Sequence, residues 1–82
     1  MHEATLIKNM LSLVAQVRDQ QGKNTVKKIT VEIPEFGMMS EEHFRSHFDE
    51  EIKGTQWEGL ALEIRKGSGG IDPKLVSVTF VS

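Results

Sequence analysis

Cysteine is absent from this 82-residue chain. That absence excludes a disulfide framework and any thiolate metal site. A long apolar run is missing too. The richest stretch, Leu6 to Val17, is broken by Lys8, Asn9 and Gln16, so it is neither a membrane span nor a signal-peptide core. Basic charge is not in excess: 10 Lys and Arg stand against 12 Asp and Glu, for a formal net charge of -2 and a pI near 5.9. Nonspecific nucleic-acid binding needs basic patches, and this balance argues against it. There is no internal repeat and no long low-complexity segment. What remains is a single small domain, 1–82, expected to be soluble and cytoplasmic. A core of this size is marginal without a metal or a partner.

The apolar residues that are present fall into two periods. Leu6, Met10, Leu13, Val14 and Val17 recur at helical spacing, with Lys8, Gln16, Arg18 and Asp19 elsewhere around the wheel, and Gly22 is placed to end that helix. Lys27 to Ile33 alternates instead: Ile29, Val31 and Ile33 share one face and Lys28, Thr30 and Glu32 the other, up to Pro34. Ser40 followed by Glu41 and Glu42 opens a second helix, with a hydroxyl cap and negative charge at the positive end of the dipole. Phe44, Phe48 and Ile52 give it an apolar stripe, and Gly54 closes it. Leu60, Leu62 and Ile64 alternate again, as do Val76, Val78 and Phe80. The order α-β-α-β-β predicts an α+β fold, with two helices packed on one face of a three-stranded mixed sheet. Gly67-Ser68-Gly69-Gly70 separates the last two strands, which such a flexible connection lets pair as a hairpin. It lacks the lysine and the following helix of a phosphate loop.

The chemistry sits at the N-terminus. In Met1-His2-Glu3, the Met1 α-amine, the His2 backbone nitrogen and the His2 imidazole can close fused five- and six-membered rings around one cation. Nitrogen donors held in a plane suit Ni(II) or Cu(II) better than Zn(II), which prefers a tetrahedron. The amine ordinarily titrates near 7.7 to 8.0 and imidazole at about 6.5, so both lose protons readily on binding metal. In an arbitrary chain the plain alternative is a frayed histidine, with Glu3 merely capping a helix.

Several segments in order resemble the HypA/HybF hydrogenase nickel-incorporation proteins. Met1-His2-Glu3 opens directly into an amphipathic helix. Lys28-Ile29-Thr30-Val31-Glu32-Ile33 is similar to the family's first strand, and Phe44 to Phe48 to its second helix. Gly54-Thr55, Glu58-Gly59 and Leu62-Glu63-Ile64 look like the approach to its second strand, and Lys74-Leu75-Val76-Ser77-Val78 like its last one. The resemblance implies a nickel metallochaperone, not an enzyme, with Ni(II) carried at Met1, His2 and Glu3. It further implies a HypB-type GTPase and a nickel-iron hydrogenase precursor, or urease, as partners. Glu3 contributes either its backbone nitrogen or its carboxylate. The family normally inserts a zinc domain with two Cys-x-x-Cys pairs where this chain has 67–70. Structural zinc is therefore not expected, and the short connection reads as an excision or a natural loss.

A second candidate is the i, i+4 pair His43 and His47, close to Glu42, Asp49 and Glu50. A polar helix face carries such pairs by chance, and the family usually has a small apolar residue at position 47. The sequence therefore argues for adventitious metal binding at most and against an authentic second site, without settling whether the pair binds metal. The serines form no hydrolase elbow and the histidines have no evident nucleophile beside them. Trp57, before Glu58-Gly59, reads as a lid on the core. The competing function is a metal-independent interaction module with the same fold. Its short final connection would permit a strand-swapped dimer in place of a monomer.

Overall fold

The computed structural model describes residues 3–22, 25–35, 40–67, 70 and 72–81. Its elements are α1 (Glu3–Gln20), β1 (Val26–Pro34), α2 (Glu41–Ile52), β2 (Ala61–Gly67) and β3 (Lys74–Phe80). The order is the α-β-α-β-β expected from the two periodicities. The sheet runs β2-β1-β3, with β1 parallel to β2 and antiparallel to β3.

That strand order corrects one expectation. The last two strands do not form a hairpin, because β1 lies between them. The cause is the apolar content of β1, whose Ile29, Val31 and Ile33 are all buried and want neighbours on both sides. The helical crossover through α2 delivers β2 parallel to one edge of β1, which leaves the other edge for β3. Two strand spacings separate β2 from β3, roughly 9.5 Å, and the chain from Gly67 to Lys74 bridges that span with ease.

The core joins three elements. Ile7, Met10, Leu11 and Val14 come from α1, Ile29, Val31 and Ile33 from β1, and Phe44, Phe48 and Ile52 from α2. Leu62 and Ile64 of β2 and Leu75 and Val78 of β3 pack against this cluster from the flanking strands. The buried stripe of α1 is displaced from the expected line. Ile7 and Leu11 are inside, whereas Leu13 is 49% exposed. Leu6, Leu13 and Val17 instead line a groove of about 640 Å³ between α1 and β3, to which the buried Met10 also contributes. Both lines obey helical spacing, so periodicity alone could not choose between them.

The helix ends are set by local chemistry. Gly22 takes φ +89° and its N–H donates to the Asp19 carbonyl at 3.3 Å, so α1 closes on a left-handed residue. Ser40 has extended backbone, and its Oγ accepts from the His43 N–H at 3.1 Å, the N-cap anticipated from Ser-Glu-Glu. At the other end of α2, the Thr55 hydroxyl donates to the Ile52 carbonyl at 2.7 Å. The Glu58 carboxylate accepts from the Gly54 N–H at 3.0 Å.

The other face of the sheet is charged and ordered. Lys28 lies 3.1 Å from Glu63, and Glu32 pairs with Arg65 at 3.7 Å and Lys74 at 3.5 Å. Beneath them Thr30 is buried, its hydroxyl donating to Glu63 Oε1 at 3.2 Å. Alternation had put Thr30 on the polar face. Its burial comes from the long side chains on either side, which a single strand's pattern does not reveal.

Candidate metal site

Element lengths decide where the chemistry lies. The 18 residues of α1 rise about 27 Å. The 9 residues of β1 run about 30 Å back in the opposite sense. The end of β1 therefore returns to the start of α1. At that end Glu32 pairs with Lys74 at the start of β3, Pro34 pairs with Gly67 at the end of β2, and the Glu35 N–H donates to the Gly67 carbonyl at 2.8 Å. The chain then starts α2 after Ser40. As a parallel crossover, α2 runs alongside α1. Lys8 lies 4.0 Å from Glu51, and further along both helices Arg18 Nη1 donates to Gln56 Oε1 at 2.9 Å. The entry to α1, the N-cap of α2 and the β2–β3 connection thus share one end of the molecule.

Met1 and His2 lie outside the described residues. Glu3 is described as the first residue of α1, but its side chain is not. The expected chelating tripeptide is covalently joined to the shared end.

On α2, His43 is exposed and His47 half-buried, with ring centroids 4.6 Å apart and ring planes inclined at 47°. The neighbouring Phe44 and Phe48 are fully buried and stacked at 6.4 Å, which fixes the helix about its axis. Arg45 faces elsewhere: it donates to the Leu62 carbonyl at 3.1 Å and lies 4.0 Å from Glu41. Among the described residues no group of three or more His, Cys, Asp or Glu is arranged to hold a metal.

The opposite end is built for packing. Trp57 is half-buried against the core, with the Arg18 guanidinium 5.2 Å from its ring centre. It caps the core there, as its place before Glu58-Gly59 suggested. One carboxyl on the open sheet face is perturbed. Hydrogen bonds from Lys28 and Thr30, then the charge of Lys28, hold Glu63 below the usual carboxylate range.

The fold is that of a small α+β domain, two helices on a three-stranded mixed sheet, with His43 and His47 on α2 near the end at which α1 begins. The chain belongs to the HypA family of hydrogenase/urease nickel-incorporation metallochaperones, whose family model matches residues 1–72. The family are carriers, not enzymes. In fold the chain is similar to the solution structure of the Ni metallochaperone HypA from Helicobacter pylori. The TM-score is 0.82 at 14% identity, over 100% of this chain and 99% of that one. No curated protein matches in a direct sequence comparison. The family match stops at Asp72, just ahead of β3.

Proposed function

We propose that this chain carries Ni(II) on its N-terminal tripeptide in the cytoplasm and passes it toward a hydrogenase or urease precursor. The observation that carries the reading is a family match over residues 1–72, which takes in Met1-His2-Glu3, with Glu3 the first residue of α1. The Met1 amine, the deprotonated His2 amide and the His2 imidazole would supply three nitrogens in a plane. Glu3 completes the set with its backbone nitrogen or steadies the imidazole with its carboxylate. A site on a chain end needs no deep cage, so a partner can compete for its ligands one at a time. That property suits cargo that must be released. A HypB-type GTPase is the partner this reading names, with α1 as the docking element because the cargo leaves at its start.

The test is a Ni(II) titration followed by visible absorption and calorimetry, with His2→Ala beside the wild type. The reading expects a yellow square-planar band in the wild type and none in the variant. It also expects His2→Ala to lose nickel-dependent enzyme maturation in cells that rely on this chain. A band that survives His2→Ala would overturn it, and the metal-independent interaction module would lead.

A further inference from the structure

We propose that His43 and His47 form a second divalent-metal site, made of two imidazoles on α2 and separate from the N-terminal tripeptide. The geometry fits one cation. Two imidazole nitrogens about 2.0–2.1 Å from a shared ion, at right or tetrahedral angles, put their ring centres roughly 4.5–5 Å apart. The observed separation is 4.6 Å. No backbone movement is needed, since i and i+4 already share a helix face.

The scaffold beneath the pair is firm. The His43 N–H is held by the Ser40 cap, and Phe44 and Phe48, each the residue after a histidine, are completely buried. The electrostatics favour a cation. Helix α2 carries five carboxylates against a single arginine, and that arginine turns toward the Leu62 carbonyl of β2. Glu41 and Glu42 stand in the first turn, where they oppose the positive end of the helix dipole. Glu51, one turn beyond His47, adds a half-buried carboxylate to the same face, across from Lys8.

The donor set defines the ligand class. Imidazole suits Ni(II), Cu(II) and Zn(II) and neglects Mg(II) and Ca(II). Two described protein donors leave the remaining positions to water, so the site exchanges its ion readily and is neither a closed structural site nor a planar amide site.

Magnetism separates the two sites. Planar four-nitrogen Ni(II) is diamagnetic, whereas Ni(II) held by two imidazoles and water is paramagnetic and broadens nearby NMR signals. The full chain is titrated with nickel sulfate and followed by calorimetry and by amide and imidazole NMR. Wild type, His2→Ala and the double variant His43→Gln/His47→Gln are compared, each checked for a native amide spectrum. The proposal expects a second, weaker equivalent that broadens α2 around His43 and His47. This equivalent should persist in His2→Ala and vanish in the double variant, which keeps the yellow band. A single equivalent in the wild type, survival of the weaker one in the double variant, or loss of all binding in His2→Ala would each overturn it. Because the yellow band reports the tripeptide alone, failure at either site is distinguishable.

Discussion

At Glu63 a carboxylate accepts from Lys28 at 3.1 Å and from the Thr30 hydroxyl at 3.2 Å, and its folded-state pKa is lowered. The linkage follows from that direction. An unfolded glutamate titrates near 4.3, and a group depressed below this contributes stability above it and loses that contribution as pH falls through the folded value. Glu63→Gln should therefore lie below wild type in urea midpoint near pH 6, and the gap should close toward about pH 3. An equal gap at both pH values would contradict the role given to Glu63. Ser40→Ala removes the cap of α2 and should cost about 1 kcal/mol in urea unfolding. The capping serine was legible in the sequence because Ser-Glu-Glu is a local signal. The buried Thr30 was not, since its cover comes from a strand distant in sequence. The His43–His47 spacing was equally visible, but not the ring separation or the fixed helix beneath it.

Among the elements, β1 and α2 hold the fold together. Phe48 is fully enclosed, so Phe48→Ala should cost about 3–5 kcal/mol. Small domains have only about 5–15 kcal/mol in total, so calorimetry should find the variant largely unfolded or sharply lowered in Tm. At the end of β2, a Cβ on Gly67 would overlap the Glu32 side chain, which is half-buried between Arg65 and Lys74. Gly67→Val should displace Glu32, part both ion pairs and disturb the amide signals of Arg65 and Lys74. Unchanged shifts at both residues would refute that coupling. The five elements could be predicted because each carries its own apolar period or cap. Strand order could not, since a connection flexible enough for a hairpin is equally able to cross β1. What decided it was the burial of β1 on both edges. The choice of stripe on α1 failed for the same kind of reason. Its helix has two apolar lines, and only the position of α2 selects Ile7 and Leu11 over Leu6 and Leu13 for the core.

For the whole molecule, the consequence of this topology is convergence. A helix and a strand of nearly equal length, joined by a short connection, bring the start of α1 back beside the end of β1, and the parallel crossover sets the N-cap of α2 at the same end. The chain enters its first helix at the end where the sheet's remaining connection also lies. Among the described residues no helix is long and apolar enough to cross a membrane, and no group of three or more His, Cys, Asp or Glu is arranged to hold a metal. On the proposed reading the free Met1 amine is a nickel ligand, and acetylating that amine removes this donor while leaving every side chain in place. The most direct measurement is therefore a Ni(II) titration of the free-amine and Nα-acetylated chains, followed through the yellow square-planar band. The free-amine chain should give a saturating band at one equivalent and the acetylated chain none; an undiminished band after acetylation would show that the amine is not a ligand.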